Sequence, residues 1–309
     1  MNHEHPEFLW YNGKIVPWDN VTIHATVIPS LTSSVFEGIR AYWNPDEGRL
    51  YGFRFREHYE RFADSIKLMR MNVPYSVDEF VDGSVETIRR NGHDSDAYLR
   101  PAAYSGHPHQ GGHWMPDPDQ VQDVFIHTKS WPSILTRENG IHCGFSSWTR
   151  IPDHILPPRI KCHANYANSR LASIETTING YEGALILNMQ GKVAEGPGAC
   201  VMMVRRGKVI TPPVTAGILE SITRDTLIEI SRDVLGLEVE ERDIDRTELY
   251  VADEAFFCGT GLEVIPIASI DRYPLGDGQI GPLTLKIRSL YHDLVRGIDK
   301  RYAHWRIAI

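Results

Sequence analysis

The chain has 309 residues, a formal net charge of −8, 42% hydrophobic and 23% charged residues. This is the balance of a globular protein with enough chain for one large domain or two. It excludes the basic footprint of a nucleic-acid-binding protein, and no apolar run reaches membrane-spanning length. The N-terminus "MNHEHPEFLWYNG" has no apolar export core, so a cytoplasmic protein is expected. Four cysteines, at 143, 162, 200 and 258, fit neither a zinc motif nor a disulfide scaffold and read as buried or incidental thiols.

In chain order, "FLWYNGKIVPW" predicts two strands around an Asn12-Gly13 hairpin turn. "VFEGIRAYW" and "RLYGFRF" follow as strands. Phe62, Ile66 and Met69 share one face of a helix. Ser76 with Glu79 forms a capping box, and Val81, Val85 and Ile88 carry the next helix to Asn91-Gly92. "DAYLRPAAYSG" and "VQDVFIHTKSW" read as strands, separated by the irregular "HPHQGGHWMPDPDQ". Residues 1–128 therefore read as a small α+β domain, 129–140 as a connector, and 141–309 as a larger second domain. There, Leu171, Ile174 and Ile178 line a helix ending at Asn179-Gly180. "GALILN", "ACVMMVRRGKVITPP" and "EAFFCGT" are strands. Leu227, Ile230 and Val234 line a helix ending at Gly236, and Pro282 opens a last helix with Leu283, Ile287, Leu290 and Leu294. The fold class is mixed α/β in two domains, with ligands expected in the crevice between them.

An aldehyde cofactor bearing a phosphate needs a lysine for a Schiff base, an acid facing a pyridine nitrogen, a donor for the ring oxygen and a phosphate cup. The second half offers each class: Lys161 and Tyr166 in "RIKCHANYANSRLASIETTINGYEGALILN", Glu195 in "VAEGPG", Ser221 with Ile222 and Thr223 at a helix start, and Thr260 in "CGTG". Each also has an ordinary reading. Lys161 can be a surface charge, Ser221 an N-cap, Glu195 a loop acid and Tyr166 a core aromatic. His107, His109 and His113 in "HPHQGGH" suggest metal ligands, but Pro108 and the glycines favour an irregular loop. No cysteine or acid stands at ligand spacing, so no metal is expected.

The ordered blocks "SSVFEGIRAY", "REHYER", "AYLRP", "IKCHANY", "VAEGPG", "LESITRD", "VEERDIDRTELYVADEAFFCGTGLEVIPI" and "IGPLTLKI" resemble the branched-chain amino acid aminotransferase family. These are class IV aminotransferases of fold type IV, the D-amino acid aminotransferase-like fold, and they use pyridoxal 5'-phosphate. The resemblance runs from about residue 8 to 297. It implies that Lys161 forms the Schiff base and moves the substrate's Cα proton, that Glu195 faces the ring nitrogen and Tyr166 the ring hydroxyl, and that Leu219 packs on the ring. It further implies a phosphate site at Arg61, the Ile222–Thr223 backbone and Thr260. Phe36, Gly38, Tyr98 and Arg100 fall on the substrate pocket, with Arg100 the partner for a carboxylate. The implied reaction is ping-pong transfer of an amino group from a branched-chain or other hydrophobic amino acid to a 2-keto acid such as 2-oxoglutarate. The implied assembly is a homodimer or a higher homo-oligomer whose partner chain contributes to the pocket.

Departures from the family pattern cluster around the substrate. Leu31-Thr32 replace a Tyr-Gly pair, Ala199-Cys200 replace Glu-Asn, Gly261-Leu262 stand in the turn that takes a substrate carboxylate, and Ser221 replaces a glycine. The pocket is expected to be less polar and differently shaped. An R-selective amine transaminase or an aminodeoxychorismate lyase-like activity on the same fold is the alternative.

Overall fold

A computed structural model describes residues 5–106 and 119–309; the histidine loop at 107–113 lies outside the described residues. The chain divides into two compact units, Met1–Pro132 with Ile160–Ala164 and Leu294–Ile309, and Ser133–Arg159 with Asn165–Asp293.

In the first unit, Asn12 and Gly13 both take positive φ, 46° and 86°, the twist that a two-residue hairpin needs. They join strands β1 (Phe8–Tyr11) and β2 (Lys14–Pro17) in the register Tyr11↔Lys14. The stretch "VFEGIRAYW" is two strands, β3 (Val35–Phe36) and β4 (Ile39–Asn44), interrupted at Glu37-Gly38. Strand β5 (Arg49–Phe53) leads into helix α1 (Phe55–Leu68), then α2 (Val77–Arg90), β6 (Ala97–Tyr104) and β7 (Asp123–Ser130). The capping box forms as expected: Ser76 N–H donates to Glu79 Oε2 at 2.8 Å, and Glu79 N–H to Ser76 Oγ at 3.2 Å. Phe62 of α1 and Phe80 of α2 bury their rings 5.4 Å apart. Burial of this kind contributes roughly 1.5–3 kcal/mol per side chain.

The second unit contains β8 (Ile141–Phe145), α3 (Asn165–Ile178), β9 (Gly183–Leu187), β10 (Val193–Glu195), β11 (Cys200–Arg205), β12 (Lys208–Thr211), α4 (Ile222–Asp233), β13 (Val239–Glu241), α5 (Arg246–Tyr250), β14 (Glu254–Gly259), β15 (Glu263–Ile270), β16 (Tyr273–Pro274) and most of α6 (Pro282–Val295). Its strands run in the order β10-β9-β8-β15-β14-β11-β12-β13. "ACVMMVRRGKVITPP" is a hairpin rather than one strand, because Arg206 and Gly207 both take positive φ, 52° and 78°. Val201, Met203, Ile210, Phe257 and Ile265 form part of the core on this sheet. Leu227 and Ile230 of α4 and Ile287 of α6 are buried, as their spacing implied.

Two further expectations change. Strand β17 (Arg306–Ala308) pairs with β5, so the first sheet runs β17-β5-β4-β6-β7-β1-β2, with β3 on β6. Those backbone bonds, with Val35 bridging Cys162, place the chain's last residues and Lys161 in the first unit. Helix α3 is turned the other way from its predicted apolar face. Leu171, Ile174 and Ile178 are 42%, 41% and 79% exposed, while Ser169, Ala172 and Thr176 are buried. Small side chains allow α3 to approach β8 and β9 closely, which the larger ones would prevent. All four cysteines are buried, and none is in a disulfide. No helix among the described residues is long and apolar enough to cross a membrane.

Candidate active site

Lys161 is fixed by its backbone. Its N–H donates to Ser65 Oγ at 3.1 Å, and its carbonyl accepts the Phe36 N–H at 2.9 Å. The half-buried side chain brings Nζ to 5.0 Å from the centre of the Phe36 ring. Arg100, on β6, stands 4.6 Å from that ring and 5.7 Å from the ring of Tyr98. Gly38 is required at its position, because a methyl group there would come within 2.0 Å of the Tyr98 hydroxyl. The Leu31 carbonyl accepts the N–H and the hydroxyl of Ser34. Ser34 Oγ in turn meets His163 Nδ1 at 2.7 Å, and the His163 ring stacks on Phe36 at 4.3 Å.

Positive charge concentrates around these rings. Lys129 lies opposite Tyr98 in the β6–β7 ladder, with Nζ 3.8 Å from the centre of the Trp131 ring. Burial first, and then the Arg100 guanidinium, lower the Lys129 pKa. The same two causes lead in lowering that of His163. Burial, Arg100 and Lys129 together bring His127 down to about 4. No carboxylate among the described residues pairs with Arg100. A guanidinium against aromatic faces, in positive surroundings, suits a carboxylate on an apolar skeleton.

Arg61 is turned onto Glu37. Its Nε and Nη2 donate to Glu37 Oε1 and Oε2, both at 2.8 Å. His58 Nδ1 lies 2.9 Å from Oε2 of the same carboxylate. Burial alone would raise the Glu37 pKa, but the Arg61 charge and the hydrogen bonds from His58 and Arg61 outweigh it and hold the group well below the carboxylate range.

In the second unit Glu195 ends β10 and is buried. Arg150 Nε donates to its Oε1 at 2.7 Å, and the Leu219 N–H to its Oε2 at 3.3 Å. Arg150 also reaches Asn168 Oδ1 at 3.3 Å. Tyr166 is half-buried in the first turn of α3. Ser221 caps α4, its Oγ accepting the Arg224 N–H at 3.2 Å. Ile222 and Thr223 thus form the first turn of a 12-residue helix, where the dipole is positive. The Thr223 and Thr260 hydroxyls stand 3.5 Å apart. Gly261 and Leu262 continue the Thr260 turn. Leu262 and Ala199, two of the departures from the family pattern, line one cavity of about 300 Å³ with Phe257 and Ile265.

The fold therefore groups Lys161, Phe36, Gly38, Tyr98 and Arg100 in one unit, and Glu195 with Leu219 and Thr223 with Thr260 in the other. Arg61 joins a separate carboxylate. Sequence reasoning missed Glu37, His58, His163 and Arg150. Glu37 lies inside the "FEG" block, yet nothing in short-range spacing joins it to Arg61. Arg150 lies 45 residues from Glu195. No group of three or more potential metal-binding side chains occurs among the described residues.

Comparison with known proteins bears on this arrangement. The amino-transferase class IV family model matches residues 34–270. The chain is 39% identical over 300 residues to the "Probable branched-chain-amino-acid aminotransferase" of Aquifex aeolicus, covering 97% of this chain and 96% of that one. The crystal structure of branched-chain amino acid aminotransferase from Thermobaculum terrenum, in its PLP form, superposes with a TM-score of 0.95 at 48% identity, over 99% of both chains. The T.th. branched-chain amino acid aminotransferase complexed with N-(5'-phosphopyridoxyl)-L-glutamate gives 0.90 at 36% identity, over 98% of each. The donor set here fits that cofactor chemically: an amine on a fixed backbone, a buried carboxylate paired with an arginine, and hydroxyls at a helix N-terminus suited to phosphate. On the matched family model and the near-complete coverage of both chains, the protein belongs to the branched-chain amino acid aminotransferases of class IV and is a pyridoxal-phosphate-dependent transaminase.

Proposed function

We propose that the enzyme moves the amino group of a hydrophobic amino acid, branched-chain aliphatic ones foremost, to a 2-keto acid such as 2-oxoglutarate. The cycle is ping-pong, and the enzyme works as a cytoplasmic homodimer or higher homo-oligomer. The names of its relatives support the donor class, and the glutamate adduct held by the T.th. enzyme supports the acceptor. The observation that carries the reading is Lys161, anchored through its backbone and aimed at the Phe36 ring that Arg100 also covers.

Pyridoxal phosphate, when bound, supplies an electron sink that makes the substrate's Cα proton removable. Lys161 Nζ takes that proton and holds it for return, the work of a positioned base and then acid. Arg100 binds a substrate carboxylate, and Phe36 and Tyr98 cover the apolar part. Gly38 leaves the space that the Tyr98 hydroxyl occupies. With the cofactor bound, Glu195, held by Arg150 and the Leu219 N–H, would stabilise a protonated pyridine nitrogen, and Tyr166 would donate to the ring hydroxyl. Arg61, the first turn of α4 and Thr260 would hold the phosphate.

Lys161→Ala is expected to lower amino transfer from L-leucine to 2-oxoglutarate by at least about a hundredfold, the lower end for removal of a positioned proton carrier. Borohydride reduction followed by peptide mapping should place the cofactor on Lys161 in the parent and on no peptide in the variant. A variant with near-parent turnover overturns the role. A donor panel of L-leucine, L-valine, D-alanine and (R)-1-phenylethylamine tests the substrate class. Preference for the last, or product formation without any keto acid, overturns it.

A further inference from the structure

The carboxylate of Glu37 is 0% exposed, while the Arg61 side chain in front of it keeps 12% of its surface. The pair is thus open on the arginine's side alone. Four donors converge on Glu37: Arg61 Nε and Nη2 at 2.8 Å, His58 Nδ1 at 2.9 Å and the Gly38 N–H at 3.3 Å. A two-point contact fixes the plane of a guanidinium as well as its distance. The backbone that carries the carboxylate is itself anchored. The Glu37 N–H is bound to the Pro101 carbonyl at 2.9 Å, and the preceding Phe36 N–H to the Lys161 carbonyl at 2.9 Å. His58 is 2% exposed. Burial lowers its pKa more than the Glu37 carboxylate raises it, and because an ionised carboxylate only accepts, it is Nδ1 that carries the hydrogen toward Oε2.

Stability alone is a poor account of this cluster. A buried ion pair is often matched or bettered by apolar side chains of equal volume. The burial asymmetry supplies the missing reason. We infer that Glu37 is a positioning residue for phosphate recognition: held by His58 and Gly38, it fixes the guanidinium plane of Arg61 against which the cofactor's phosphate binds. The inference rests on the reading of Arg61 as a phosphate ligand. It adds that the arginine is competent only while Glu37 orients it.

The test compares pyridoxal phosphate with pyridoxal, which lacks only the phosphate, as ligands of the full-length protein stripped of cofactor. Dissociation constants come from quenching of tryptophan fluorescence. In Glu37→Gln the dissociation constant for pyridoxal phosphate is expected to rise about tenfold, with that for pyridoxal changed less than about twofold. His58→Leu should give a smaller selective loss. His58→Asn, which can restore a donor to Glu37, should recover most of it. If Glu37→Gln does not fold, the His58 pair decides: a selective loss with leucine that asparagine rescues supports the inference, and equal behaviour of the two overturns it. Arg61→Ala is the separate control. If it weakens both ligands equally, the phosphate reading of Arg61 fails. If it is selective for pyridoxal phosphate while Glu37→Gln is not, the reading stands and the inference falls.

Discussion

Glu37 in the first unit and Glu248 in the second accept nearly the same set of hydrogen bonds. Each takes two N–H groups from one arginine, Arg61 at 2.8 and 2.8 Å or Arg242 at 2.8 and 2.9 Å. Each has a third partner, His58 at 2.9 Å or Arg205 at 2.6 Å. Solvent is what differs. Glu37 and His58 are sealed from water, whereas Arg242 and Arg205 are 38% and 29% exposed. At the surface water can replace a lost partner, so geometry there is nearly free to change. In the interior nothing replaces it, and the same geometry becomes a requirement.

Three measurements can break or sharpen that contrast. The largest effect is expected from Glu37→Gln, which leaves Arg61 without its anion. The free energy of unfolding in urea should fall by about 3–5 kcal/mol, the range for a broken buried pair. A fall below about 1 kcal/mol would place Glu37 with the surface carboxylates. Glu248→Gln should cost less, about 1–3 kcal/mol, because water reaches its arginine partners, and part of that effect should be lost in 1 M salt. Its pH signature follows from sign. Hydrogen bonds from Arg242, partly opposed by burial, and then Arg205 lower the folded pKa of Glu248 from 4.5 to about 2. A depressed carboxyl stabilises the fold above its unfolded pKa and ceases to do so as pH falls through the folded one. The parent should therefore lose stability more steeply than Glu248→Gln between pH 4.5 and 2. The smallest effect is expected at Ile178, 79% exposed at the end of α3. Ile178→Ser should change unfolding free energy by no more than about 0.5 kcal/mol. A change above about 2 kcal/mol would show that this face is covered in the working enzyme.

The helices show how far sequence carried the fold. Helix α2 was legible whole, because its start, its stop and its buried Val81 and Ile88 are encoded within 16 residues, Ser76 to Asn91. Helix α3 was legible as a helix, but its orientation was not. The same helical periodicity that marks a buried face in α2 leaves Leu171, Ile174 and Ile178 at the surface, since α3 packs on β8 and β9 through small residues. The hairpin with its turn signature at Asn12-Gly13 was found, whereas the one at Arg206-Gly207 was read as a single strand. The strands Ile141–Phe145 and Glu263–Ile270 were not identified as elements, because their burial depends on neighbours far away in the chain.

At the candidate site, residue type singled out Lys161, Tyr166, Glu195, Ser221 and Thr260, each with an ordinary reading beside the chemical one, while Arg61, Leu219, Phe36, Gly38, Tyr98 and Arg100 entered only through the resemblance to a family. Local sequence determined the capping of α2 and α4 and the turn at Asn12-Gly13, for these depend on bonds across two to four residues. Tertiary structure alone decided that Arg61 faces Glu37, that Arg150 holds Glu195 from 45 residues away, and that the last strand returns to β5. Each of these is settled by which surfaces are denied water, and that is a property of the assembled fold rather than of any segment.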